Sequence, residues 1–176
     1  MTKWTYDDLV LLGDDGRHHE IIDGEHYVNP TPHIRHQTIV GNLHLVIANW
    51  LETHPIGRVW FGPVDVIFSD FDVVEPDLVY VSNDRAKVVR PENIKGAPDL
   101  VVEVLSYSNR RKDEITKRKL YETRGVTEYW VVDPEIDVIK IYRGGMRVAE
   151  LSLENKDALT TPLLPGLEIG LAEVFG

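Results

Sequence analysis

Apolar residues at Ile39, Leu43, Val46, Ile47, Trp50 and Leu51 recur at intervals of three and four. That spacing predicts one long amphipathic helix from His33 to about Thr53. Pro55 and Gly57 follow it as stop signals. Elsewhere the apolar residues come in short runs that suit strands: Arg58 to Phe61, Val64 to Ser69, Leu78 to Val81, Leu100 to Leu105 and Tyr129 to Val132. Asp23-Gly24 inside Glu20 to Val28, and Gly144-Gly145 between Val138–Tyr142 and Arg147–Leu151, predict a hairpin near each end of the chain. Thr5 followed by Asp7 and Asp8 marks a short first helix. A second amphipathic helix is expected over 110–124, with Ser108 or Asn109 as its cap and Gly125 just past its end. The tail from Leu163 to Phe175 reads as an apolar segment folded back on the body. This order of helices and strands predicts an α/β (α+β) fold, a mixed sheet flanked by helices, over a single domain of 176 residues.

Two strands begin alike, Pro76-Asp77-Leu78-Val79-Tyr80 and Pro98-Asp99-Leu100-Val101-Val102, and the second carries Glu103 among aliphatic residues. An ionised carboxylate there costs several kcal/mol unless it is paired, bound to a metal or reached by water. An edge strand with Glu103 in solvent is the plain alternative. Asp99 and Glu103 share a strand face but lie about 13 Å apart, too far to hold one ion together. If the two strands run antiparallel, Asp77 comes beside Glu103 and Asp99 goes to the other end. Two carboxylates on adjacent strands make an oxygen site for Mg²⁺ or Mn²⁺. Asp113, Lys117 and Tyr121 are spaced four apart and stack on one helix face. A right-handed crossover to the strand at Tyr129 lays that face over the pair, within reach of Lys117. An ordinary surface ion pair is the competing reading of Asp113 and Lys117.

Composition narrows the functional classes. With no cysteine, there is no disulfide, thiolate metal site or thiol nucleophile. No apolar run is long enough to span a bilayer and the N-terminus lacks a signal-peptide pattern, so a cytoplasmic protein is expected. The net charge of −10 argues against a broad basic surface. A local basic rim is still available in the stretch RRKDEITKRK at 110–119. His33, His36 and His44 lack an HExxH pattern, so zinc is not expected. Ser106 has no GxSxG elbow, and the chain has neither a P-loop nor a GxGxxG motif.

The order of helix, strands with Pro-Asp and then Glu, helix and strand resembles the core of the PD-(D/E)XK nuclease superfamily. More narrowly, EIIDGE, PDLVYVS, GAPDLVVEVLS, DEITKRKLYETRGVTEYWVVDP and TTPLLPGLEIGLAEVF resemble, in order, segments of the Uma family of proposed restriction endonucleases. The resemblance implies a restriction-endonuclease-like core and a metal-dependent DNA endonuclease that leaves a 5′-phosphate and a 3′-hydroxyl. Asp77 and Glu103 would bind Mg²⁺ or Mn²⁺. The superfamily lysine belongs two residues past Glu103, where Leu105 stands, and the Uma pattern supplies it from the helix as Lys117. Glu20, His36 and Asp113 are expected as accessory groups. Arg110, Arg111, Lys112 and Lys119 are expected to contact phosphates, and double-strand cleavage would favour a homodimer. The alternatives are an inactive nuclease fold that binds nucleic acid or a protein partner, favoured by the charge and the displaced lysine, and a carboxylate-pair glycosidase, for which aromatic sugar platforms are not apparent.

Overall fold

The computed structural model describes residues 2–108 and 110–176. The chain opens with α1 (Tyr6–Leu12), then the hairpin β1 (His18–Ile22) and β2 (Glu25–Asn29), and then α2 (Ile34–Thr53). Next come β3 (Gly57–Phe61), β4 (Val66–Ser69), β5 (Asp72–Val74) and β6 (Leu78–Ser82). After a 3₁₀ turn at Asn83–Val88 follow β7 (Ile94–Lys95) and β8 (Leu100–Val104). A π-helical segment, Lys112–Lys117, leads into α3 (Arg118–Arg124). The chain ends with β9 (Glu128–Asp133), β10 (Val138–Arg143), β11 (Met146–Ser152), β12 (Ala158–Thr160), β13 (Glu168–Gly170) and α4 (Leu171–Phe175).

Local signals act where the sequence places them. Thr5 caps α1 in a capping box with Asp8. Gly125 ends α3 in the left-handed region with φ 84°, where a side chain would be strained. Asn109, one of the two expected caps of the second helix, lies outside the described residues.

Six strands form a mixed sheet in the order β11-β10-β9-β8-β6-β3. β8 pairs parallel with β9 and antiparallel with β6, in the register Leu78↔Val102 and Val79↔Val101. Thus β8 is an inner strand, and Glu103 on it is 3% exposed, which removes the edge-strand reading. The expected mixed sheet and both expected hairpins are present. The C-terminal hairpin extends this central sheet, but the N-terminal hairpin belongs to a second sheet, β2-β1-β5-β4-β7. β5 and β7 had no sequence signal of their own. They are three and two residues long, too short for a periodicity to show.

The central sheet is covered on both faces. Alternation along β8 turns Leu100, Val102 and Val104 toward Ile39, Leu43 and Ile47 of α2 and toward Val174 and Phe175 of α4. The C-terminal tail therefore packs as its apolar pattern requires. Val101 and Leu105 face the other way, toward Ile22, Val66 and Val74 of the second sheet and Leu120 and Tyr121 of α3. Each fully buried aliphatic side chain contributes about 1.5–3 kcal/mol, so the two cores hold β8 rigidly from both sides. Glu103 has the same parity as Val101 and Leu105, and so projects into the layer between the central sheet and α3. Among the described residues no helix is long and apolar enough to cross a membrane.

Candidate active site

The β6–β8 register, extended by one residue, sets Asp77 across from Glu103. Asp77 is fixed by the backbone N–H of Val104, which donates to its Oδ2 at 2.7 Å, and by His36 Nε2 from the first turns of α2 at 3.2 Å. Asp99 goes to the far end, where Ser82 N–H donates to it at 2.7 Å and Arg85 lies 3.3 Å away. Antiparallel pairing alone separates the two Pro-Asp aspartates, one into a cleft and one into a structural contact.

Lys117 sits at the centre, 2% exposed. Its Nζ is 2.8 Å from Glu103 Oε1, 2.7 Å from Glu20 Oε1 and 3.5 Å from Asp113 Oδ1. Tyr121 donates its O–H to Glu103 Oε1 at 2.6 Å. Glu20, fully buried on β1, also accepts from Lys112 Nζ at 2.9 Å and from the backbone N–H of Glu75 at 3.0 Å. The second sheet thus delivers Glu20 to a site built on the first.

Lys112 lies apart from the other basic residues expected at phosphates. Placed by sequence among the phosphate-contacting residues, it is turned inward, held by Glu20 and by Asn29 Oδ1 at 2.5 Å. The π-helical segment is the reason. An α-helix rotates residues five apart away from each other by about 140°, whereas an i→i+5 turn returns them to one face. Lys112 and Lys117 therefore meet the two oxygens of the same carboxylate. Tyr129 on β9 secures this turn by donating its O–H to the Asp113 carbonyl at 2.9 Å. Arg110 is also committed elsewhere, to Asp133 and, at 3.0 Å, to Glu135. Arg111 and Lys119 are exposed. Lys119 opens on a separate groove beside Ile22 and Asp72, away from Asp77 and Glu103.

Charge balance explains how each group ionises. Burial works against the Glu20 anion, but the Lys117 and Lys112 ammonium groups outweigh it and bring its carboxyl down to about 2. Glu103 goes the other way. Burial raises its carboxyl well above the usual range, and the nearby anions of Asp113, Asp77 and Glu20 add to this against Lys117 alone. Asp113 is raised for the same leading reason, burial. Burial alone would discharge Lys117, yet the surrounding carboxylates hold its ammonium well above its ordinary value. Burial also opposes a charged His36, and Asp77 overrides it and raises the imidazole. The two carboxylates that share Lys117 differ because Glu20 has two ammonium partners and a backbone donor, and Glu103 has one ammonium amid like charges.

These groups surround a cleft of about 330 Å³ lined by Asp77, Glu103, Asp113, Lys117 and His36. The donor set suits a hard divalent cation. It offers carboxylate oxygens in excess of nearby positive charge, and Asp113 Oδ1 is buried without a hydrogen-bond donor among the described residues. Those residues contain no cluster of three or more acidic, histidine or cysteine side chains already drawn together around an ion position. Mg²⁺ tolerates such a site, because it keeps several waters and takes one or two carboxylates.

A search of curated proteins returned no match. The fold is similar to a crystal structure described as a "putative nuclease belonging to DUF820" from Anabaena variabilis, with 20% sequence identity, 97% of each chain covered and a TM-score of 0.83. A family model named Uma2 and described as "Putative restriction endonuclease" matches residues 5–172. Spanning nearly all of its length, that match establishes that the chain belongs to the Uma2 family.

Proposed function

We propose that this protein is a metal-dependent endonuclease that hydrolyses phosphodiester bonds in DNA, working as a single restriction-endonuclease-like domain in the cytoplasm. The observation that carries this reading is the position of Lys117 Nζ, within 2.8 Å of Glu103 on one sheet and of Glu20 on the other, with Asp77 opposite Glu103. A lysine transferred from strand to helix thereby reaches the same carboxylate that a lysine two residues along the strand would flank.

Asp77 and Glu103 are the residues that would hold Mg²⁺ or Mn²⁺, with Asp113 near enough to add an oxygen donor through solvent. When bound, the ion supplies Lewis-acid activation of the phosphate and of water. Lys117 remains charged, and its ammonium orients the attacking water or stabilises negative charge developing on the phosphate. Glu20 fixes the ammonium in place, and Lys112 holds Glu20 by its other oxygen. His36 Nε2 and the Val104 N–H both hold Asp77 at its Oδ2. Tyr121 occupies one oxygen of Glu103, which leaves the other toward the cleft. Cutting both strands of a duplex would call for a homodimer.

A second reading, an inactive nuclease fold that binds nucleic acid or a protein partner, is favoured by the net charge of −10 and by the absence of a preassembled three-ligand cluster among the described residues. Calorimetric titration of Mg²⁺ and Mn²⁺ into the protein, beside Glu103→Gln, separates the two when paired with a plasmid-nicking assay. Binding and cleavage that both vanish in the variant support the enzyme. Nucleic-acid binding without cleavage in any divalent ion supports the second reading.

A further inference from the structure

We infer that the cleft receives a strand with an unpaired base beside the scissile phosphate, and that Tyr107 is the platform on which that base stacks. This inference rests on the nuclease reading for the identity of the ligand, and it goes beyond it in naming the substrate class.

Three observations converge. The first is charge. Among the described residues Lys117 is the single lysine or arginine lining the cleft, and it is already held by Glu20 and Glu103, while Glu75, Asp77, Glu103 and Asp113 line the same walls. Proteins gain most of their affinity for duplex DNA by neutralising phosphates with lysine and arginine, and this cleft has little with which to do so.

The second is size. At about 330 Å³ the cleft lies at the low end of small-molecule pockets, roughly 300–1,000 Å³. That is room for one nucleotide inside the cleft.

The third is Tyr107 itself. It is 90% exposed, yet it lines the cleft between Ser106 and Ser108, four residues beyond Glu103 and so within about 13 Å of it along the chain. Single exposed apolar residues are common and carry no meaning alone. An exposed aromatic ring that lines an acidic cleft, together with Pro30 and Pro32, is a different case. It presents a flat π-face where phosphate contacts are scarce. Stacking on such a face is sequence-tolerant, because every base has one.

The test uses the full chain and an aminopurine-labelled oligodeoxynucleotide, single-stranded and annealed to its complement, in Ca²⁺ for binding and in Mg²⁺ for cleavage. The wild type is expected to bind the single strand at least about tenfold more tightly than the duplex and to quench its fluorescence. Tyr107→Ala is expected to lose the quenching and about tenfold in affinity, and Tyr107→Phe to retain both. Equal affinity for the duplex, or full affinity and quenching in Tyr107→Ala, overturns the inference. The exposed position makes both variants foldable, which a thermal melt verifies. Cleavage that is indifferent to Tyr107→Ala leaves the nuclease reading standing and removes this one. Tyr107-dependent quenching without cleavage removes the nuclease reading and with it the scissile phosphate, and supports only the stacking of an unpaired base on Tyr107. Neither binding nor cleavage overturns both.

Discussion

Lys117 Nζ lies 2.7 Å from Glu20 Oε1, a buried ion pair between a π-helical turn and an inner strand of a separate sheet. The two residues are far apart in sequence, and neither belongs to the strand pair that carries Asp77 and Glu103. Removing one partner of a buried pair leaves an uncompensated charge and costs about 3–5 kcal/mol. Lys117→Ala is therefore expected to lower stability by about that amount and to reduce the cleavage rate far more than metal affinity. Lys119→Ala, on an exposed face, should change stability by less than about 0.5 kcal/mol. Urea unfolding and single-turnover cleavage on the same preparations check both. A larger catalytic effect at Lys119 would refute the role given to Lys117.

Glu103→Gln should abolish cleavage and Mg²⁺ binding without loss of fold. Because burial and three neighbouring anions oppose the ionised Glu103, a neutral amide of the same shape relieves that cost. The melting temperature of the variant is expected to equal or exceed that of the wild type. A fall of several degrees would mean that Glu103 stabilises the fold rather than burdening it.

Acid should affect stability in two opposed stages. Glu20 has its carboxyl lowered from 4.5 to about 2 in the fold. Its contribution, about 3 kcal/mol for that shift, is fully present above pH 4.5 and is lost as pH falls from there toward 2. Glu103 and Asp113 are raised in the fold, so protonating them favours the native state as pH falls toward the ordinary carboxylate range. Stability is expected to hold or rise from neutral pH toward mild acid, and then to fall below about pH 4.5. In Glu20→Gln the steep acid limb should flatten. Thermal melts across the acid range read this directly.

Lys112 and Arg111 are neighbours with opposite fates. Lys112 is paired with Glu20 inside, and Arg111 is exposed. Arg111→Ala is expected to weaken DNA binding and to reduce the slope of log K against log salt by about 1, while Lys112→Ala leaves the slope unchanged and lowers the cleavage rate by loosening Glu20 and Lys117. Filter binding at several salt concentrations decides between them. A reduced salt slope in Lys112→Ala would return that residue to the phosphate-contacting set.

The sequence by itself determined the elements that repeat a pattern over many residues. The long helix of Ile39, Leu43 and Ile47, the two hairpins, the Thr5 cap and the Gly125 stop are local: periodicity, turn chemistry and capping act within a few residues and leave a readable trace. The strand carrying Glu103 was legible as buried because its alternation is nearly all apolar, and its pairing with the Asp77 strand followed once an antiparallel register was assumed. The tertiary structure alone decided what depends on distant contacts. β5 and β7 are strands because β4 lies between them to pair with, and β1 flanks β5 on its other side. The N-terminal hairpin joins a second sheet, and in doing so brings Glu20 to Lys117. Lys112 turns inward because six residues adopt a π-helix, a choice no helical periodicity signals. Tyr107 has no pattern around it at all, and only its position on the rim of the cleft distinguishes it from any other exposed ring. The carboxylates were visible as residue types, but the charge each carries is set by how many ammonium groups the fold packs against it.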